Sequence, residues 1–162
     1  MSSRQEPPSP PAPGRQGLDD LSFYLGRAYY HYVLFLQDLL ERYGLDATLR
    51  PGMGGVLFAL FERDNCIIKE ISERLDMAPS TLTPTLRRME KAGIIRCRKC
   101  PEDGRAVRVR LTAKGRALAG PCRQLSEVLN GRLVEGLERE EVQLLKRALS
   151  RLIHNIRQPA GS

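Results

Sequence analysis

Catalytic machinery is what this 162-residue chain has least of. There is no nucleophile motif, no glycine-rich phosphate loop following a strand, and no His-Glu spacing of the kind that holds a reactive metal. Gly52, Gly54 and Gly55 cluster, but they follow Pro51 at the start of a short helix and lack the strand a nucleotide site requires. Neither an enzyme nor a bound cofactor is therefore expected. No apolar run approaches the ~20 residues of a membrane span, and no signal-peptide core follows Met1, so a cytoplasmic protein with no membrane partner is expected. Aromatic residues make up 6% of the chain and histidine occurs twice.

Cysteine is also scarce, at four residues. Cys97 and Cys100 form a Cys-x-x-Cys pair, a spacing that serves metal or redox sites. On an extended strand, however, residues three apart face opposite sides and lie roughly 10 Å apart, beyond disulfide reach. Cys66 and Cys122 are the other thiols, and His31 and His154 are distant in sequence, so no metal site is expected. Arg96, Arg98 and Lys99 flank the pair and are expected to lower a thiol pKa. That keeps Cys97 and Cys100 as candidate redox residues beside the alternative of inert, buried thiols.

What is present is positive charge in one place. The chain carries 26 Lys and Arg against 19 Asp and Glu, a net +7. Between Arg87 and Arg116 eleven basic residues face three acidic ones, Glu90, Glu102 and Asp103, so the excess is concentrated in this window. Focused charge suits a polyanion.

The same stretch has a readable layout. Ile68, Ile71, Leu75 and Met77 predict one helix face over Ile68 to Leu75, followed by a turn at Asp76-Met77-Ala78. A second helix is predicted from Pro79, where a missing N–H is tolerated, with Leu82, Leu86 and Met89 inward and Gly93 as its stop. Its other face offers Ser80, Thr81, Thr83, Arg87 and Arg88, hydroxyls and guanidinium groups suited to a DNA groove. Two alternating segments follow. Ile95 and Cys97 face one way and Arg96 and Arg98 the other; Val107, Val109 and Leu111 point inward while Arg108 and Arg110 point out. Together they predict a basic hairpin with its tip at Pro101-Glu102-Asp103-Gly104-Arg105, where Gly104 is expected to permit a sharp turn.

These residues resemble the MarR family of winged helix-turn-helix transcription regulators. The resemblance rests on Leu82-Thr83 through Leu86, Met89-Glu90-Lys91-Ala92-Gly93-Ile94-Ile95-Arg96, Asp103-Gly104-Arg105 and Leu111-Thr112-Ala113-Lys114-Gly115, in order and spacing. It covers about Leu49 to Gly115. It implies that Arg105 enters a minor groove and that Asp103 holds it, with Arg96, Arg98 and Arg108 completing the wing's DNA contacts. Two departures stand out. Ala78 occupies the place of a polar N-cap, and Pro84 falls in the early turns of the recognition helix. Thr81-Leu82-Thr83-Pro84 looks like the organic-hydroperoxide-sensing branch, but no cysteine lies between Leu18 and Tyr43, so sensing by that branch's route is not supported.

The flanks carry apolar stripes. Leu18, Leu25, Tyr32 and Leu39 recur every seven residues, with Leu21, Ala28 and Phe35 between them. Leu118, Cys122, Leu125, Leu129 and Leu133 continue a helix opened by Thr112, which Gly120-Pro121 is expected to kink. Val142, Leu145, Leu149, Leu152 and Ile156 line a last helix. The expected fold is mainly α with a small β-wing: a winged helix-turn-helix domain flanked by N- and C-terminal dimerisation helices. The expected division is a proline-rich tail at 1–17, a dimerisation helix and connection at 18–48, the reading domain at 49–115, dimerisation helices at 116–157 and a tail at 158–162.

The resemblance implies a repressor-type regulator that binds an inverted repeat of double-stranded DNA as a homodimer. It also implies a small aromatic or phenolic effector, for which Tyr29, Tyr30 and His31 are candidate pocket residues beside a plain packing role. The competing readings are a redox-responsive regulator using a wing cysteine, a basic winged-helix RNA-binding protein, and a protein-interaction module that kept the fold.

Overall fold

The structure, a computed structural model, describes residues 20–101 and 103–157. They fall into two compact units that divide between Pro51 and Gly52. The proline-rich segment, the tail at 158–162, Leu18 of the heptad stripe and Glu102 of the hairpin tip lie outside the described residues.

The first unit holds α1 (Leu21–Arg42). Its end is closed by Gly44 at φ +63°, with Gly44 N–H donating to the Glu41 carbonyl (2.9 Å) and Leu45 N–H to that of Leu40 (2.8 Å). A left-handed residue is required there, and glycine supplies it with no Cβ to clash. Along the stripe Leu39 is buried while Leu21 and Leu25 are exposed.

The second unit runs α2 (Gly54–Glu62), β1 (Cys66–Ile67), α3 (Ile68–Leu75), α4 (Pro79–Lys91), β2 (Ile95–Lys99), β3 (Val107–Leu111), α5 (Ala113–Ala117), α6 (Ala119–Leu133) and α7 (Arg139–Arg157). It is mainly helical with one small antiparallel sheet, as patterning predicts. The sheet order is β1-β3-β2, with Ile95 opposite Leu111 and Cys97 opposite Val109. The two-residue β1 was not expected; Cys66 and Ile67 pair with Val109 and Arg108 and place β3 in the centre. Leu57, Leu60, Ile71, Leu82, Met89, Ile94, Ile95 and Val109 form the core and are almost wholly buried. Each such side chain contributes roughly 1.5–3 kcal/mol of apolar burial.

The turn between α3 and α4 is built by Asp76 at φ +52°, an orientation aspartate tolerates better than most side chains. Met77 N–H donates to the Ser72 carbonyl (3.0 Å) and the buried Ser72 hydroxyl donates back to the Met77 carbonyl. The left-handed step at Asp76 takes Met77 out of helical register, so its side chain is exposed instead of extending the α3 face. A second correction concerns the C-terminal helices. The break comes at Leu118, between α5 and α6, and Gly120-Pro121 sits in the first turn of α6, where the missing N–H leaves no bond unmade.

α6 buries Cys122, Leu125 and Leu129 and leaves Leu133 exposed. α7 has no buried residue over 19 positions. Among the described residues no helix is long and apolar enough to cross a membrane.

Candidate nucleic-acid interface

α4 begins at Pro79 without a side-chain cap; Thr81 and Leu82 N–H groups reach the Ala78 carbonyl instead (2.9 and 3.2 Å). Leu82, Thr85, Leu86 and Met89 are buried, which turns Ser80, Thr81, Arg87 and Arg88 to solvent. Two of the candidate reading residues are engaged on their own helix. Thr83 donates its hydroxyl to the Pro79 carbonyl (2.9 Å), and Arg88 donates Nε to the Pro84 carbonyl (3.3 Å) and Nη2 to Thr85 Oγ1 (3.4 Å). Pro84 removes one backbone donor from this stretch, and local side chains supply others. Ser80, Thr81 and Arg87 are the members that face outward without such a bond.

The helix stops as its glycine predicts. Gly93 lies at φ +73°, Gly93 N–H donates to Glu90 (2.9 Å) and Ile94 N–H to Met89 (3.1 Å), the paired bonds of a left-handed C-cap. β2 and β3 then form the hairpin. Arg96, Arg98 and Arg110 are exposed on its outward face, and Arg108 is half-buried with Nη1 donating to the Asn65 carbonyl (3.2 Å). Arg96, Arg98 and Arg108 thus meet around one cavity of 520 Å³, together with Lys99 and Arg110.

At the tip, Asp103 Oδ1 accepts the backbone N–H of Arg105 (2.9 Å) and its carbonyl accepts that of Ala106 (2.9 Å). Asp103 therefore shapes the turn through the Arg105 backbone. Gly104 does not use the freedom expected of it. Its φ is outside the left-handed region, and a Cβ there would meet nothing within 4 Å.

Thr112, Lys114 and Gly115, which the sequence offered only as part of the family resemblance, hold wing to helix. Thr112 Oγ1 donates to the Gly93 carbonyl (2.7 Å) and accepts Gly115 N–H (3.0 Å), while Lys114 Nζ donates to the Ala92 carbonyl (3.0 Å). A cation at those last carbonyls also complements the negative end of α4. Gly115 is so close to the Ile94 carbonyl that an added Cβ would lie 2.0 Å from its oxygen. The Thr-Ala-Lys-Gly segment is thus a clamp on the end of α4. Asp64 closes the other side, accepting Leu111 N–H (2.9 Å) and Asn65 N–H (2.8 Å) and pairing with Arg116 (3.4 Å).

A model of the MarR family matches residues 54–107. The HTH-type transcriptional repressor IacR of Pseudomonas putida is 32% identical over 139 residues, which span 85% of this chain and 81% of that protein. The chain belongs to the MarR family.

Solved structures agree on the fold. The Bordetella bronchiseptica regulator BpsR, whose DNA binding is regulated by 6-hydroxynicotinic acid, aligns with TM-score 0.73 and 22% identity, over 86% of this chain and 96% of that one. The transcriptional repressor CouR bound to a 23-mer DNA duplex aligns at 0.70 and 23%, over 88% and 99%. CouR from Rhodococcus jostii RHA1 has also been solved with p-coumaroyl-CoA, aligning at 0.66 and 22%, over 91% and 99%. As a MarR-type protein the chain is a DNA-binding transcription regulator, and its relatives are regulators, not enzymes.

The cysteines of this MarR protein are free thiols. The lowered pKa expected beside the arginines is not found at Cys97. Burial pushes its thiol up, and the Glu90 carboxylate, which accepts Cys97 N–H at 2.7 Å, adds to the rise. Burial likewise raises Cys122, and Cys66 is raised by burial and then by Glu70. Cys100 is buried. Among the described residues no group of three His, Cys, Asp or Glu is placed to hold a metal.

Tyr29, Tyr30 and His31 lie on α1, exposed, with the Tyr30 and His31 rings edge-on at 5.4 Å between centroids. Three consecutive helical residues fan over about 200° of the helix surface, so they do not line one face of α1.

Proposed function

We propose that this MarR protein is a ligand-responsive repressor that binds an inverted-repeat operator as a homodimer in the cytoplasm. The observation that carries the reading is the concentration of unbalanced positive charge on the hairpin that the Thr112–Gly115 clamp fastens to α4. Ser80, Thr81 and Arg87 would meet base edges and phosphates in a major groove, with Thr83 and Arg88 released from their helix by rotamer changes of the kind common at interfaces. Arg105 would enter the flanking minor groove, and Arg96, Arg98 and Arg108 would neutralise phosphates.

Residues 49–115 would be the reading domain and the helices in 18–48 and 116–157 the dimer. Support comes from the exposed leucines and isoleucines of α7, a stripe that a second copy would cover. The tails at 1–17 and 158–162 have no assigned role. A small aromatic effector would act by binding one dimer geometry better than another, with Tyr29, Tyr30 and His31 as candidate contacts. The ligands named for BpsR and CouR are aromatic, which supports that class.

Selection of bound sequences from a random duplex pool tests the reading. An inverted repeat with half-sites about one helical turn apart is expected. On that duplex Arg105→Ala is expected to cost about 1–3 kcal/mol with the dimer intact. Unsymmetrical sequences would overturn the dimeric reader, and unchanged affinity would overturn the wing role.

A further inference from the structure

Pro84 is exposed on a helix whose opposite face, Leu82, Thr85, Leu86 and Met89, is buried. α4 continues through it from Pro79 to Lys91, so the residue neither ends the helix nor fills the core. A proline past the first turn is costly. It withholds the N–H that the Ser80 carbonyl would accept, and its ring crowds that carbonyl. Burial does not offset this cost at an exposed position.

Successive residues of an α-helix turn by about 100°. On α4 this spreads Ser80, Thr81, Arg87 and Arg88 over an arc of about 120°, with Pro84 at its centre, about 60° from either edge. All five are exposed, and Pro84 alone among them has a wholly apolar side chain. The chain therefore sets a rigid hydrocarbon ring in the middle of a face otherwise made of hydroxyls and guanidinium groups.

We propose that Pro84 is a specificity-determining residue whose ring packs on the C5-methyl of one thymine in each half-site. The inference rests on the reading of α4 as the helix that enters the major groove. In that groove the thymine methyl is the apolar group that base edges present, and it marks T·A apart from the other pairs. The centre of a docked helix face meets the base edges, while its margins, here Arg87 and Thr81, lie nearer the phosphates. Proline loses almost no side-chain entropy when it is covered, so even a small apolar contact is retained as affinity.

A duplex selected by the wild-type protein, rebuilt with deoxyuridine in place of one thymine at a time, tests this because only the methyl is removed. At one thymine per half-site the full-length wild type is expected to lose about fourfold in affinity, the worth of one buried methyl-sized group. Pro84→Ser, which restores the backbone donor, is expected to bind the thymine and deoxyuridine duplexes with affinities within about 1.5-fold of each other at that position. A proline that only shaped the helix would leave the fourfold ratio in place, and that result would overturn the proposal. A wild type indifferent to uracil at every position would overturn it without any variant, and would leave the DNA reading of α4 standing. Failure to select any duplex would overturn both.

Discussion

Met89 in the reading domain is completely buried, whereas Ile156 near the end of α7 leaves 71% of its surface to solvent. Both belong to apolar stripes with helical spacing, so pattern alone does not separate them. The reader satisfies its stripes within the chain, through α2, α3, α4 and the sheet, and fastens its termini with side-chain clamps. α7 presents Leu144, Leu145, Leu149, Ile153 and Ile156, all of them exposed among the described residues. One stripe is a core already closed; the other is a surface whose apolar area favours association. In a regulator the difference separates the part that must be rigid to read DNA from the part that can carry assembly.

The contrast is broken most severely at Gly115. A Cβ placed 2.0 Å from a carbonyl oxygen cannot be absorbed by a rotamer change, so α5 must part from the end of α4. Gly115→Ala is expected to lose about 3 kcal/mol in denaturant unfolding, the upper end of overpacking costs. Unchanged stability would show that the clamp is slack. At the small end, Cys97→Ser should leave DNA affinity within twofold with or without oxidant, because the raised thiol pKa keeps little reactive thiolate at neutral pH. An oxidant effect that vanishes in this variant would restore the redox reading.

The helix-turn-helix was legible because its signals are local. Ile68, Leu75, Pro79 and Gly93 mark the bounds of α3, the start of α4 and its cap as the structure has them. The hairpin's two faces also followed from period two. What was not legible depends on residues distant in sequence. β1 is two residues long, too short for any period, and exists through pairing with Val109 and Arg108. Asp64 and Gly115 owe their importance to Leu111 and Ile94, which no spacing reveals. Gly104 sits in the turn expected of it but without a positive φ, because Asp103 builds that turn by accepting a backbone N–H. The orientation of Thr83 and Arg88 toward their own helix likewise depends on Pro84 and on rotamers.

The most direct measurement is the mass of the protein in solution, alone and on its selected duplex, for the wild type and for Leu149→Asp. Two wild-type chains per duplex are expected, and for Leu149→Asp a folded monomer whose affinity for the inverted repeat falls about a hundredfold, ~2.7 kcal/mol. A monomeric wild type that binds the duplex with full affinity, or a variant that dimerises unchanged, would contradict the assignment of α7 to assembly.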